Sequence, residues 1–308
     1  MTRKKVFTLL RALRVNQWIK NLVVYTAIIF SGKLFDPNLF IQSTIAFAIF
    51  CLLSSTSYVL NDIIDYQYDK KHPVKRFRPI AAGKITIPEA TFIVFLLTLI
   101  SLIAALFFSL PFFFLSLLFI LLHFFYSLYL KRYPVIDIFS ISFSFMIRTF
   151  AGEVATGFHI PIWLLLTIFF ISLFMGSVKR HAELVSHGKE GRASLYQYNE
   201  HFLDFLTYTF AAATLIAYST YTYGEVVPQV PTFISKFLAE AFPLMRIASR
   251  KWMMVTIPLV AYGISRYAQL LFEKYEGERP EKVITTDRPL VFTIFLWGLI
   301  VIAIIYVF

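Results

Sequence analysis

Apolar stretches close to twenty residues long follow one another along nearly the whole chain, separated by short polar segments rich in Lys and Arg. About 20 apolar residues in a helix cross the hydrocarbon core of a bilayer. A helix also satisfies its backbone donors and acceptors within the segment, as lipid demands. The stretches therefore predict nine membrane-spanning helices, at 19–36, 40–62, 86–108, 110–130, 134–156, 160–179, 202–223, 248–271 and 289–308. Of the 308 residues 58% are hydrophobic and only 15% charged, which leaves too little polar surface to cover a soluble domain of this length. The expected fold is all-α: a polytopic membrane bundle forming one domain over 1–308, with no low-complexity linker.

Charge orients the bundle. With the N-terminus cytoplasmic, most of the 29 Lys and Arg residues fall in the cytoplasmic segments, the asymmetry of the positive-inside rule. The segment 225–251 is amphipathic and basic at its end, and reads as interfacial. The net charge of +11 thus belongs to a membrane face, where it favours anionic lipids and phosphorylated substrates rather than nucleic acid. The start Met1-Thr2-Arg3-Lys4-Lys5 resembles a signal-peptide n-region, but Arg11 and Arg14 interrupt the apolar run behind it and no small-residue cleavage site follows, so no cleaved signal is expected. The single cysteine, Cys51, excludes an internal disulfide and any multi-cysteine metal site. The longest polar excursions, 63–85, 180–201 and 272–288, all fall on the cytoplasmic side, so the chemistry gathers at one face of the membrane.

The richest of these excursions begins Asn61-Asp62-Ile63-Ile64-Asp65-Tyr66-Gln67-Tyr68-Asp69. At helical spacing Asn61, Asp65 and Asp69 recur every four residues and Asp62 lies three from Asp65, so all four project from roughly one face. Such carboxylates repel one another unless a hard cation sits among them. Mg²⁺ favours oxygen ligands of this kind while leaving room for substrate phosphates. Carboxylates also oppose the usual preference for cations at a helix C-terminus, so they do not serve to end the helix. Asp62, Asp65 and Asp69 are the expected metal ligands and catalytic residues. Lys75, Arg76 and Arg78 follow in a basic run suited to phosphate.

Two further groups carry alternative readings. Lys179 and Arg180 stand near Glu183 at the end of the sixth stretch. They suit phosphate and metal, or a basic pair snorkelling at a span end with a local ion pair. Arg148 lies inside the fifth stretch, where a guanidinium needs a partner or a watery cavity; Glu153 and a substrate phosphate are the two candidates. Asp137 either extends that polar cavity or marks the interface, and His123 reads as a hydrogen-bonded core residue.

The motif Asn61-Asp62-x-x-Asp65-x-x-x-Asp69 at the end of the second helix resembles that of the UbiA superfamily of intramembrane prenyltransferases, and the likeness runs over nearly the whole chain. Within the superfamily the chain is most similar to the decaprenyl-phosphate phosphoribosyltransferase branch. That likeness rests on Arg14-Val15-Asn16-Gln17-Trp18-Ile19-Lys20-Asn21, Lys75-Arg76-Phe77-Arg78-Pro79-Ile80-Ala81-Ala82-Gly83, Tyr126-Ser127 with Lys131, Lys179-Arg180-x-x-Glu183-Leu184 and Asp287-Arg288-Pro289-Leu290. The resemblance implies a UbiA-type bundle and Mg²⁺-dependent transfer of 5-phosphoribosyl from phosphoribosyl pyrophosphate to a polyprenyl phosphate, at the cytoplasmic face of the cell membrane. It also implies a lipid-linked pentose donor for cell-wall polysaccharide. Lys20, Asn61, Lys75, Arg76, Arg78, Tyr126, Lys131, Arg148, Lys179, Arg180 and Glu183 become the expected substrate-binding residues.

One departure bears on the donor. Typical aromatic prenyltransferases of the superfamily carry a second Asp-x-x-x-Asp pair after the sixth helix, where this chain has Lys179, Arg180 and Glu183. The added cations suit a donor with an extra phosphate. The alternatives are a prenyl diphosphate donor with an aromatic acceptor, and a lipid or ion transporter, which places its polar residues nearer the midplane.

Overall fold

The computed structural model describes residues 3–72, 74–187, 197–224, 249–274 and 285–306, and among them every regular element is helical. In chain order these are α1 (Arg3–Ala12), a 3-10 segment Val15–Tyr25, α2 (Thr26–Phe30), α3 (Pro37–Ile64), α4 (Tyr66–Lys71), α5 (Ile87–Phe108), α6 (Leu110–Leu128), α7 (Ile136–Thr156), α8 (Ile162–His187) and α9 (Glu200–Gly224). A 3-10 segment Ser249–Thr256 then leads into α10 (Ile257–Lys274), and α11 (Arg288–Tyr306) follows.

Local chemistry starts the spans. Asp36 caps α3, accepting from the backbone of Asn38 and Leu39 at 3.0 and 3.2 Å, with Pro37 in the first turn. Thr86 and Glu89 form a reciprocal capping box on α5, and Ser109 caps α6 through the Phe112 amide. Each cap satisfies amide donors that the first helical turn leaves open, and proline at that turn removes one donor and presets φ.

The helices pack in the manner of a membrane protein. On α5 the buried side chains are the small ones, Ala90, Ser101 and Ala105, while Phe92, Phe95, Leu99 and Phe107 face outward. In lipid there is no gain from hiding large apolar groups, so close helix contact falls to small residues. The inner helix α7 buries Ser140, Ser142, Ser144, Arg148, Thr149, Ala151, Gly152 and Ala155, and packs on α2, α6, α8 and the first 3-10 segment. α8 lies along α9, and α10 along α11. The last helix closes the bundle against the first apolar stretch: the Tyr306 hydroxyl donates to the Ile29 carbonyl at 2.9 Å and accepts from the Leu34 amide at 2.9 Å.

Seven helices among the described residues are long and apolar enough to cross a membrane, against the nine expected. The difference lies in the first and eighth stretches. The first is a 3-10 segment with a short α2, and it carries Lys20 and Asn21, the latter turned fully into the bundle. The eighth starts in 3-10 geometry, and α10 carries Arg266 and Glu273. The interfacial reading of 225–251 lies, up to residue 248, outside the described residues.

Alternation of direction sets the functional end. α3, α6 and α8 finish at the end where α5, α7, α9 and α11 begin, so Asn61 to Asp69, Tyr126, Lys131, Asp137, Arg180, Glu183 and Asp287 share one end of the bundle.

Gly152 tests the packing. A Cβ built there would run into the Val24 carbonyl, so Gly152→Ala must push the 3-10 segment away from α7. Gly157, at φ +74° with open space around it, suffers only the left-handed penalty of about 1–2 kcal/mol on substitution. Thermal unfolding in detergent should therefore fall further for Gly152→Ala than for Gly157→Ala. The reverse order would contradict the close approach.

Candidate active site

α3 ends at Asp65, whose φ of −85° and ψ of 3° break the helix before α4 resumes it. The ladder still bridges the break, with the Asp65 amide bonded to the Asn61 carbonyl and the Asp69 amide to that of Asp65. This keeps the acidic side chains together, but they do not turn to one point. Asp62 accepts from Arg14 Nη2 at 2.5 Å and from Arg78 Nη1 at 3.0 Å, and Asp69 accepts from the same Arg78 Nη1 at 2.6 Å. Asp65 instead accepts from Lys131 Nζ at 2.5 Å and from the side-chain Nδ2 of Asn61 at 3.0 Å, while Lys131 also donates to Asn61 Oδ1 at 3.3 Å.

The expected three-aspartate metal set thus divides: Asp62 and Asp69 share one arginine nitrogen, and Asp65 belongs to Lys131. Among the described residues no three His, Cys, Asp or Glu side chains converge closely enough to hold one ion. The cause is electrostatic, since each carboxylate takes the nearest cation. The donor chemistry nevertheless fits a hard divalent cation. All four side chains offer oxygen, and Asp62 Oδ1 and Asp69 Oδ2 already converge on a single cationic atom.

Burial shows which of these groups can meet a substrate. Asp62 and Asp69 are 3% exposed as residues, whereas the side chains of Arg14, Arg78 and Asp65 keep 22, 25 and 22% of their surface. Arg14 and Arg78 therefore form the open layer over Asp62 and Asp69, whereas Lys131, with 10% of its side chain exposed, lies deeper than its partner Asp65. Arg14 was not singled out as a ligand from the sequence. It reaches Asp62 because it adopts a left-handed conformation, φ 51° and ψ 48°, at the break between α1 and the 3-10 segment. There its guanidinium also lies 5.2 Å from the Tyr58 ring. Lys20 donates to Gln17 at 2.8 Å, Arg76 stacks on Phe77 and is exposed, and Lys75 is half-buried.

The end of α6 joins this cluster to a second one. Lys131 belongs to the first, and one turn back the Tyr126 hydroxyl accepts from Arg180 Nη2 at 2.9 Å. Arg180 is fully buried. Its Nε donates to Asp137 at 2.6 Å and its Nη1 to Glu183 at 2.5 Å. Asp137 also accepts from the Tyr198 hydroxyl at 2.8 Å, which in turn accepts from the Val135 amide at 2.6 Å. Val135 holds an unusual φ of 67°, so Tyr198 braces a strained entry into α7. Burial raises the Tyr198 phenol above its ordinary range, and the Asp137 carboxylate adds to that. Arg180 and Glu183 are thus committed to the frame of the site, and half-buried Lys179 lies beside them.

Arg148 does not meet Glu153. Its Nε donates to Asn21 Oδ1 at 2.7 Å, its Nη1 to the Ser144 carbonyl and hydroxyl at 2.8 Å each, and its Nη2 to Ser54 Oγ at 3.4 Å. Glu153 accepts from the Ile160 amide at 2.6 Å. Five residues along a helix do not share a face, whereas three or four do, so Ser144 was the reachable neighbour. His123 lies 4.4 Å from Phe119, ring to ring, and its Nε2 has no hydrogen-bond partner, against the expectation of a bonded core histidine.

Replacing Arg180 leaves Asp137 and Glu183 without their shared cation. Removing one partner of a buried pair costs about 3–5 kcal/mol, so Arg180→Met should lower the melting temperature in detergent sharply. An unchanged melting temperature with weakened substrate binding would instead put Arg180 on the substrate.

The chain matches the UbiA prenyltransferase family over residues 22–299. It is 32% identical to the decaprenyl-phosphate phosphoribosyltransferase of Corynebacterium glutamicum, over 97% of this chain and 87% of that protein. The protein of the same name from Mycolicibacterium smegmatis is also 32% identical, over 94% of this chain and 89% of the relative. Among solved structures, a UbiA homolog from Archaeoglobus fulgidus bound to GPP and Mg²⁺ superposes with a TM-score of 0.67 at 17% identity, covering 97% of this chain and 99% of that one. With apolar helices throughout and a family match over most of its length, the chain is a multi-pass membrane transferase and belongs to the UbiA prenyltransferase family.

Proposed function

We propose that the chain transfers a 5-phosphoribosyl group from phosphoribosyl pyrophosphate to the phosphate of a polyprenyl phosphate, releasing pyrophosphate, at the cytoplasmic face of the cell membrane. The observation that carries this reading is the agreement of relatives at 32% identity, aligned over nearly the whole chain, on one enzyme name. The make-up of the site supports it. A donor bearing a 5-phosphate as well as a pyrophosphate needs more cations than a prenyl diphosphate does. Arg14, Arg78 and Lys131 lie on the first acidic motif, and half-buried Lys179 stands at the end of α8.

In the reaction the bond from ribose C1 to the pyrophosphate oxygen breaks, and a bond from C1 to an oxygen of the lipid phosphate forms. Pyrophosphate leaves with the bonding electron pair. The acceptor is already an anion at neutral pH, so no general base is needed, and catalysis rests on positioning and charge. Asp62 and Asp69, with Asp65 and Asn61 beside them, would hold Mg²⁺, which when bound neutralises charge developing on the leaving pyrophosphate. Arg78 and Arg14 lie between those carboxylates and the open end of the site, where they grip donor phosphates as they release their ion pairs. Lys131 and Lys20 hold the second anion, and Lys75 and Arg76 line the approach. The Arg180, Asp137 and Tyr198 frame fixes the ends of α6, α7 and α8 so that these cations keep their spacing. The isoprenoid tail lies among the outward phenylalanines of the spans, in the membrane. The product is a lipid-linked pentose phosphate, and its expected use is as an arabinose donor for cell-wall polysaccharide.

The superposition on a homolog bound to GPP and Mg²⁺ favours one second reading, in which a prenyl diphosphate is the electrophile and an aromatic compound the acceptor. Purified protein given labelled phosphoribosyl pyrophosphate, polyprenyl phosphate and Mg²⁺ should yield labelled lipid and pyrophosphate. Asp62→Ala should reduce that turnover by about a hundredfold or more while the bundle remains folded. No labelled lipid, together with turnover of a prenyl diphosphate on an aromatic acceptor, would replace the first reading by the second.

A further inference from the structure

Arg148 is a buried cation with no carboxylate partner among the described residues. An apolar side chain would fill the same space without the cost of desolvating a charge, so its partners say what the guanidinium accomplishes. It joins three elements: α7 through Ser144, α3 through Ser54, and the 3-10 segment through Asn21. Phe119 and Phe145 cover its faces, with ring centres 4.6 and 5.3 Å from the guanidinium carbon.

Asn21 is itself completely buried. Its Oδ1 accepts from Arg148 and, at 3.1 Å, from Ser54, and its Nδ2 donates to Cys51 Sγ at 3.3 Å. One turn along α7 from Arg148, Gly152 admits the Val24 carbonyl. Arg148 and Gly152 are four residues apart and share a face, so the segment touches α7 at two points of one stripe. Towards its start, Trp18 Nε1 donates to Ser55 Oγ at 3.0 Å and Arg14 reaches Asp62. The segment therefore runs down α3 from Asp62 past Cys51 to Thr44, which the Tyr25 hydroxyl meets at 3.0 Å, and Arg148 grips it partway at Asn21. From Ser54 to Asp62 the helix rises about 12 Å, too far for Arg148 to act on Asp62 by contact.

We propose that Arg148 is a positioning residue which, through Asn21, holds the 3-10 segment Val15–Tyr25 in register on α3 and α7 and thereby sets Arg14 and Lys20 at the active site. A 3-10 run of eleven residues has poorer hydrogen-bond geometry than an α-helix and rarely extends beyond a few residues, so an outside clamp is what keeps it. Lysine cannot replace the fork, because one ammonium does not span Asn21, Ser144 and Ser54 together.

The test uses the full chain in detergent or nanodiscs, with Arg148→Met, Arg148→Lys, Asn21→Ala and the double variant Asn21→Ala/Arg148→Met. A first readout needs no substrate: ¹⁹F spectra of fluorotryptophan-labelled protein, with the Trp18 resonance assigned by its loss in Trp18→Phe. The Trp18 resonance should shift or broaden in each variant, while those of Trp163, Trp252 and Trp297 stay in place. The second readout rests on the proposed phosphoribosyl transfer. The KM for the donor should rise about tenfold, the loss of buried hydrogen bonds to a charged group, with kcat changed far less. The double variant should be no worse than Arg148→Met. Arg148→Lys and Asn21→Ala carry the test if Arg148→Met does not fold. An unmoved Trp18 resonance overturns the proposal whether or not the donor is right. Multiplying KM effects in the double variant, or a kcat loss at constant KM, would also overturn it, placing Arg148 on the substrate or the reaction. Absence of turnover in the unsubstituted chain, with the Trp18 shift present, would overturn the donor assignment while supporting the clamp.

Discussion

Everything at the functional end of the bundle depends on buried carboxylates being matched by cations that come from other parts of the chain. Asp62, in the last turn of α3, and Asp69, in α4, are nearly closed off from solvent, where an uncompensated carboxylate is costly. Arg14 from the N-terminal segment and Arg78 from the loop before α5 supply the opposite charge, and Lys131 from the turn after α6 does the same for the more open Asp65. Removing any of these side chains leaves charge behind in a poorly hydrated place. The ion pairs therefore tie loops to helices, and the same groups are those that a phosphorylated substrate asks for.

The second cluster repeats the arrangement with a different balance. At the end of α8, Arg180 faces two carboxylates and two tyrosine hydroxyls belong to the same network. Its centre is sealed, with Arg180 and Asp137 completely buried, whereas Arg14, Arg78 and Asp65 remain partly open. In the proposed reaction the Arg180 cluster serves as frame and the cluster around Asp62, Asp65 and Asp69 as working surface. Tyr126, in the last turn of α6, and Lys131, in the short 3-10 turn that follows it, link the two clusters.

Much of this was legible in the chain. Apolar length announced the bundle, and the spacing of Asn61, Asp62, Asp65 and Asp69 announced the acidic face, because both depend on local geometry alone. What could not be read depends on where distant segments meet. Arg14 reaches Asp62 only through a left-handed turn that no pattern around it marks. The pairing of Arg148 with Asn21 joins residues 127 positions apart, and the nearer Glu153 was the wrong neighbour because a five-residue step faces away. The first apolar stretch was expected as an ordinary span since its average composition hides Asn21, a buried amide that draws the backbone into the bundle. Asn21 inside an apolar run was the signal available, and its meaning needed a partner.

The central claim is that the cation-covered carboxylates at the end of α3 receive a pyrophosphate. A structure of the protein with phosphoribosyl pyrophosphate and Mg²⁺ tests it most directly. The account predicts the pyrophosphate beside Asp62 and Asp69, with Arg78 moved from those carboxylates onto phosphate oxygen. A donor found elsewhere in the bundle, with the pairs of Arg78 to Asp62 and Asp69 undisturbed, would contradict it.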